Sequence, residues 1–365
     1  MNDPLALARP EIRTLAAYEH ASWENGFERL HANELPWRAA TDGTVAGLNR
    51  YPEPHPAALA ARLADLYGVA PQHALPCRGS DEAIDLLVRA FCAAGRDAII
   101  VCPPTFGMYA VAARVQGAQV AAIALLRDQG FALDVDAIES RCARDDVKLI
   151  FLCTPNNPTG NALDVTSITR ILHSSAGRAL VVVDEAYLEF AAAASLARSI
   201  GQYPHLVVLR TLSKAFGLAG ARIGTLIADA RIVSLLRSVL PPYAIAQPCI
   251  EAAQQALAPA QQRLARERVA AIVRERARLS AALAGLAGVT HVWPSDANFL
   301  LVEFDEPARA LSRLREARLL VRDFRDRPGL ERALRITVGS PEQNDRLVRS
   351  SSKSRRTSRS IRLRK

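Results

Sequence analysis

No stretch of this 365-residue chain reaches eighteen uncharged apolar residues, so it contains no candidate membrane span. The opening MNDPLALARPEIR lacks both a basic leading region and a long apolar core, which sets aside an export signal and makes a soluble, cytoplasmic protein the expectation. CxxC pairs are missing. The six cysteines, Cys77, Cys92, Cys102, Cys142, Cys153 and Cys249, are scattered, several inside apolar runs where cysteine acts as a small core residue. That pattern excludes a disulfide framework or zinc site and suits a reducing compartment. Clustered His and Asp residues are also lacking, so no metal is expected, and no internal repeat is found. Acid is absent from the end of the chain: Arg346 onward holds nine Lys or Arg, while residues 1–345 carry 37 charges of each sign. The net charge of +9 is therefore a property of the tail. A nucleic-acid-binding body would need a basic face, so neither nucleic acid nor membrane is an expected partner.

What is present is half hydrophobic and rich in alanine and leucine, enough for a large core and many helices. Short, continuous apolar runs occur at Ala98–Val101, Gln119–Ile123, Lys148–Cys153, Leu180–Val183 and Leu206–Leu209. Segments of helical length, such as Met108–Gln116 and Thr166–Ser175, separate them. Continuous rather than alternating runs, spaced by helices, predict a mainly parallel sheet covered on both faces. Pro56 is expected to open a helix through Tyr67, and Gly79-Ser80-Asp81-Glu82 to start another through Phe91. The region from Tyr18 to Trp23 reads as an arm or short helix, and Pro242–Ala287 as a long helical link. Beyond it, strands are expected at Thr290–Trp293, Phe299–Phe304, Leu319–Arg322 and Ala333–Val338, with a helix from Glu306 to Ala317. These make a smaller α+β domain. A helix begins at Pro341 and is expected to fail after Val348, where the chain becomes Ser- and Arg-rich and reads as disordered.

Three of the apolar runs end in polar residues. Lys148–Cys153 leads into Thr154-Pro155-Asn156-Asn157-Pro158-Thr159-Gly160, Leu180–Val183 into Asp184-Glu185-Ala186-Tyr187, and Leu206–Leu209 into Arg210-Thr211-Leu212-Ser213-Lys214. The carboxyl ends of parallel strands share one edge, so Asn157, Asp184, Tyr187, Ser213 and Lys214 are expected to converge. Pyridoxal phosphate needs such a set: a lysine amine for its aldehyde, a carboxylate for its ring nitrogen and donors for its phenolic oxygen. Its phosphate would find Arg222, Ser213, Thr211 and the helix start at Gly79, Ser80 and Asp81, and Phe106 could cover its ring. Asp184 as a metal ligand or general base of a hydrolase is the alternative, but it leaves Lys214 and Arg222 without a task.

The motifs HANE (His31–Glu34), NRYP (Asn49–Pro52), GSDE (Gly79–Glu82), PPTFGMY (Pro103–Tyr109), PNNPTG (Pro155–Gly160), VDEAY (Val183–Tyr187), TLSKAFGLAGARIG (Thr211–Gly224) and LRITVG (Leu334–Gly339) together form a pattern. With them the chain, from about residue 9 to 348, resembles the fold-type I pyridoxal-phosphate-dependent aminotransferases of the aspartate aminotransferase superfamily. NRYP, PPTFGMY and Tyr18 in the arm make it resemble the histidinol-phosphate aminotransferase family within that group.

The resemblance implies an α/β fold: a large domain with a mostly parallel seven-stranded sheet covered by helices, plus a small α+β domain. Residues 1–45 would form an N-terminal arm with part of the small domain, 46–265 the large cofactor domain, 266–348 the small domain and 349–365 the basic tail. Lys214 would hold the cofactor as a Schiff base and then move the proton between substrate and cofactor. Asp184 would pair with the pyridinium, Tyr187 and Asn157 with the phenolic oxygen, and Phe106 would stack on the ring. Ser213, Thr211, Arg222, Gly79, Ser80 and Asp81 would hold the phosphate. Tyr51 would reach the cofactor phosphate of a neighbouring subunit, which implies a homodimer with shared sites. Arg335 would grip the substrate carboxylate or phosphate, with Tyr18, Arg322 and Asn157 as further substrate contacts. The implied reaction is amino exchange between L-histidinol phosphate and 2-oxoglutarate, in histidine biosynthesis. An aromatic or broad-specificity aminotransferase and a threonine-phosphate decarboxylase remain open beside it.

On pattern alone Arg335 and Arg322 read equally as surface arginines, His20 and His31 as surface or packing residues, and Tyr109 as a packed helix residue. Two features depart from the family. Cys77 stands where the GSDE block usually begins with a more polar or glycine-rich residue, and the closing apolar-striped helix gives way to a Ser/Arg run. The candidate site residues all precede that run.

Overall fold

The computed structural model describes residues 3–22, 24 and 27–351. Eleven strands are found among them. In the first sheet these are β1 (Ala74–Cys77), β2 (Ala98–Val101), β3 (Gln119–Ala122), β4 (Val147–Cys153), β5 (Leu180–Asp184), β6 (Leu206–Thr211) and β7 (Gly224–Ile227). They lie in the order β1-β7-β6-β5-β4-β2-β3. Strands β2 to β6 pair in parallel, while β7 runs antiparallel to both β6 and β1. The expected mostly parallel, seven-stranded sheet is therefore present.

Side-chain alternation explains why its strands are apolar throughout. Successive residues point to opposite faces. Ile150, Leu152, Val181, Val183 and Val208 join one buried cluster, with α2 (Ala57–Tyr67), α5 (Val135–Cys142) and α6 (Val165–Ser174). Phe151, Leu180, Val182, Val207 and Leu209 join another, with α3 (Ser80–Phe91), α4 (Met108–Gln116) and α7 (Ala230–Val239). Both faces are dry, which is why period-two patterning is missing from the sequence. Five of the six cysteines are buried, Cys77 among them, and all are free thiols.

Two strands escaped the sequence reading. Strand β1 is four residues long and contains Pro76, which is tolerated because β1 forms the sheet's edge. Strand β7 begins on Gly224, inside what looks like a glycine-rich turn.

The expected link is two helices, α8 (Gln247–Ala256) and α9 (Pro259–Ala284). Pro259 cannot sit inside a helix but suits the first position of a new one. Strands β8 (Val289–Val292), β9 (Phe299–Phe304), β10 (Arg322–Asp323) and β11 (Ala333–Thr337) form the second sheet, in the order β10-β11-β9-β8. Helices α9, α10 (Pro307–Glu316) and α11 (Pro341–Ser351) supply its buried face. Expectation and structure differ at Leu319–Arg322. Leu320 is 84% exposed and the strand is reduced to Arg322–Asp323, although Leu319 and Val321 on either side of Leu320 pack against the small core. Helix α11 also runs through Arg349, Ser350 and Ser351, three residues past its expected failure. Leu347 and Val348 are packed against the small core and carry that last turn. The remainder of the tail, 352–365, lies outside the described residues.

Among its described residues the N-terminal arm has a 3-10 turn at Pro4–Leu7 and a short α-helix, α1 (Pro10–Arg13). Tyr18–Ser22 is irregular rather than helical, and Trp23 lies outside the described residues. Among the described residues no helix is long and apolar enough to cross a membrane.

Candidate active site

Parallel β4 and β5 end side by side, with Cys153 opposite Asp184 and Asp184 opposite Leu209 of β6. Their common edge brings Asn157, Asp184, Tyr187, Thr211, Ser213 and Lys214 around a cavity of about 130 Å³. Arg222 joins them because β7 is antiparallel and starts at the edge where the others finish. Ser80, Asp81 and Phe106 complete the wall, from α3 and the loop before α4.

Asp184 is buried at the centre. Its Oδ2 accepts a hydrogen bond from the Tyr109 hydroxyl at 2.8 Å, and its Oδ1 accepts one from the Ala186 amide at 3.1 Å. Burial outweighs both bonds and pushes its pKa up to about 6. Lys214 carries its amine 5.4 Å from the centre of the Tyr187 ring. Desolvation, then the positive charges of Arg335 and Arg222, hold that amine below the ordinary lysine range.

Asn157 Nδ2 donates to the Tyr187 hydroxyl at 3.5 Å, and Arg335 Nη1 donates to Asn157 Oδ1. Arg335 lies on β11, its guanidinium 5.1 Å from the Phe299 ring centre and 5.4 Å from that of Phe324. Its pKa is lowered chiefly by burial. Arg335 is thus a half-buried group tied to Asn157 of the cavity wall, not a surface arginine, though it does not itself line the cavity. Arg322 is its direct partner across β10 and β11, on the same sheet face, and is exposed.

Elsewhere in the cavity wall Arg222 stands beside the start of α3. Gly79 caps α3 without a side-chain hydrogen bond to the first amides, and Ser80 and Asp81 of that helix start line the cavity. Gly79 has φ +78, and a Cβ there would lie 2.6 Å from Arg222 Nη2. A Cβ on Gly224 would lie 2.4 Å from the Gly79 carbonyl carbon and 2.6 Å from the Ser80 nitrogen. Both glycines are what allow the helix start to close on Arg222. The Arg222 Nη1 donates to Ser213 Oγ at 3.4 Å and its Nη2 to Asp81 Oδ2 at 3.2 Å. Thr211 Oγ1 donates to Ser213 Oγ at 2.9 Å.

Tyr18 and Tyr51 do not line this cavity. Tyr51 is 51% exposed and stacks on Tyr243 with ring centres 4.6 Å apart, and Tyr18, 71% exposed, lies close enough to Tyr243 to affect its ionisation. His20 is 6.3 Å from the Tyr243 ring, apart from the cavity. Two features of the site are not evident in the sequence. Tyr109 is packed, as expected, but it also bonds the central carboxylate. Its spacing three residues after Phe106, on the first turn of α4, was the available signal. Glu185 and Arg210 form a buried ion pair at 2.9 Å directly behind Asp184 and Lys214, and no local pattern announces it. Among the described residues no cluster of three or more His, Cys, Asp or Glu could hold a metal ion.

Residues 26–350 match the family model for aminotransferase class I and II. The chain belongs to that family. The histidinol-phosphate aminotransferase of Xylella fastidiosa (strain 9a5c) is 50% identical over 347 residues, covering 94% of this chain and 95% of that one. Among solved structures, histidinol-phosphate aminotransferase from Sinorhizobium meliloti in complex with pyridoxal-5'-phosphate superposes with a TM-score of 0.74 at 24% identity, covering 83% of this chain and 82% of that chain. L-threonine-O-3-phosphate decarboxylase from Porphyromonas gingivalis superposes with a TM-score of 0.69 at 26% identity, covering 83% and 90%. The fold of this chain is thus shared by proteins named for different reactions.

Proposed function

We propose that this chain catalyses pyridoxal-phosphate-dependent amino transfer between L-histidinol phosphate and 2-oxoglutarate, giving imidazole acetol phosphate and L-glutamate in histidine biosynthesis. The observation that carries the reading is the convergence of Lys214, Asp184, Tyr187 and Arg222 on one cavity, in a chain half identical to a histidinol-phosphate aminotransferase over nearly its whole length. That identity favours histidinol phosphate over threonine phosphate, aromatic or broad-specificity substrates.

The donor set fits the cofactor. A buried carboxylate with a raised pKa suits a ring nitrogen that must stay protonated, and the open helix start with Arg222 and Ser213 suits a phosphate. When bound, the cofactor supplies an aldehyde for the amino group and a ring that accepts electrons from the substrate carbon. Asp184 would hold the ring nitrogen's proton, Tyr187 and Asn157 would orient the phenolic oxygen, and Phe106 would cover the ring. Thr211, Ser213, Arg222, Gly79, Ser80 and Asp81 would fix the phosphate end. Lys214, an amine held below the ordinary lysine range by desolvation and by Arg335 and Arg222, would anchor the cofactor and then carry the proton at the substrate's Cα as general base and acid. Arg335, held by Asn157 between two aromatic rings, would bind the substrate's carboxylate or phosphate, with Arg322 beside it.

Tyr18 and Tyr51 stand away from their own chain's cavity, which suits service in a neighbour's. A cytoplasmic homodimer with shared sites is part of the same proposal. So is the division into an arm to residue 45, a cofactor domain to 265 and a small domain to 348, whose boundary falls within α9.

Purified protein loaded with pyridoxal phosphate should change its visible absorbance on adding histidinol phosphate and return on adding 2-oxoglutarate. Lys214→Ala should fold normally and lose repeated turnover. A response to threonine phosphate or phenylalanine in place of histidinol phosphate would reassign the substrate, and turnover surviving Lys214→Ala would overturn the mechanism.

A further inference from the structure

Glu303 is a carboxylate on β9, a strand whose residues are all buried. Two donors from different elements converge on its Oε1: Arg127 Nη2 at 2.8 Å and the Trp293 indole Nε1 at 2.8 Å. The Arg127 guanidinium also lies 5.2 Å from the Trp293 ring centre, and its Nη1 donates to the Gly329 carbonyl. Phe131 packs its ring 4.5 Å from Trp293. A buried carboxylate, a guanidinium and an indole are thereby closed into one clasp.

The two sides of the clasp lead to the same place. Arg127 and Phe131 belong to the connection between β3 and α5, in the large domain. The Phe131 carbonyl accepts from Asn161 Nδ2 at 3.2 Å, and the Asn161 carbonyl accepts the Asn156 amide at 2.8 Å, in the turn that carries Asn157. On the small sheet, Glu303 is registered against Ala333, and two residues along the same pair of strands Leu301 is registered against Arg335. Arg335 then bonds Asn157. Nearby, the Asp296 amide donates to the Gly160 carbonyl at 2.7 Å and Asp296 Oδ2 accepts the Ala162 amide at 3.0 Å, a second tie between turn and sheet. Neither Arg127 nor Glu303 lines the cavity around Lys214.

We propose that the Arg127–Glu303–Trp293 clasp positions Arg335 against the Asn157 turn and so sets affinity for the anionic group of the substrate. The inference rests on the reading of Arg335 as the anion-binding residue. Both ends of the path are rigid, a β ladder on one side and a hydrogen-bonded turn on the other. Opening the clasp leaves the Asp296 contacts to tie turn and sheet, so Arg335 is held less firmly against Asn157.

The test uses glutarate, a dicarboxylate with no amino or keto group, titrated into cofactor-loaded protein and followed by visible absorbance. Arg127→Met and Glu303→Gln should each raise its dissociation constant about fivefold, and the double variant no further, because each change opens the same unit. Arg127→Lys should recover part of the loss. Cofactor affinity and kcat should stay within about twofold while KM for 2-oxoglutarate rises, a split that a general loss of folding would not produce. Unchanged glutarate affinity in Arg127→Met, penalties that add in the double variant, or cofactor affinity falling in step would each overturn the clasp's role alone. A wild-type chain without a cofactor band would overturn the functional reading, and this inference with it.

Discussion

Tyr109 donates its hydroxyl to Asp184 Oδ2 at 2.8 Å, from a fully buried ring stacked on Phe151 with centres 4.7 Å apart. The bond favours the ionised carboxylate, and the packing leaves the hydroxyl one orientation. A hydrogen bond to a charged acceptor contributes about 1.5–3 kcal/mol. Tyr109→Phe keeps the ring and leaves Oδ2 without its donor, so the carboxylate's pKa moves further upward. Pyridoxal phosphate should then bind roughly tenfold or more weakly, measured by titrating cofactor-free protein, while the ring stack preserves the fold.

Asp184 also makes cofactor-free protein sensitive to pH in a defined direction. Its folded pKa, about 6, lies above the ordinary 3.8, so the folded chain keeps a proton that the unfolded chain releases. That stabilisation is complete below the unfolded value and is lost as pH rises through the folded one. The loss is on the order of 3 kcal/mol across the window. Asp184→Asn has no such titration. The stability of cofactor-free wild type relative to that variant should therefore fall between pH 4 and pH 6, as read from urea unfolding midpoints; a constant difference would contradict the raised pKa.

The large sheet and the cavity's core were legible because both follow from one rule. Strands dry on both faces must be apolar throughout, and parallel strands deliver their last residues to one edge. Asn157, Asp184 and Lys214 could thus be placed together from three apolar runs alone. The rule says nothing about β1 and β7, whose proline and glycine look like turn residues until the edge position and the close approach of Gly224 to Gly79 are known. It is equally silent on Glu303 and Arg127, 176 positions apart, or on Arg335 reaching Asn157 across 178. Such pairings depend on how the second sheet meets the first, and side-chain periodicity carries no record of that.

Gly224 supplies a prediction that separates the phosphate end from the rest of the site. A methyl group there would press within 2.4 Å of the Gly79 backbone and 2.6 Å of the Ser80 nitrogen. Backbone, unlike a flexible side chain, must shift as a body, so Gly224→Ala should displace the start of α3 and cost about 1–3 kcal/mol. The wild-type preference for pyridoxal phosphate over pyridoxal should shrink, because only the former uses those amides. Competitive titration of the two compounds measures it, and an unchanged preference would remove the α3 start from the phosphate site.

The last prediction concerns the ion pair behind the site. Arg210 Nη1 meets Glu185 Oε2 at 2.9 Å and its Nη2 meets Glu189 Oε1 at 2.7 Å, while Ser195 Oγ and the Leu196 amide complete Glu185's partners at 2.5 and 2.8 Å. Glu185 follows Asp184 and Arg210 precedes Lys214 by four residues, so the pair joins the ends of β5 and β6 where the two site residues leave them. Arg210→Met would strand Glu185 as a buried charge, which costs about 3–5 kcal/mol. Replacing both, as Arg210→Met with Glu185→Leu, removes the more deeply buried stranded charge, leaves only the less buried Glu189 without its arginine, and should restore part of that stability. The unfolding midpoint should therefore fall sharply in the single variant and recover in part in the double. If it fell as far in both, the pair would be stabilising through its geometry and not merely avoiding an unpaired charge.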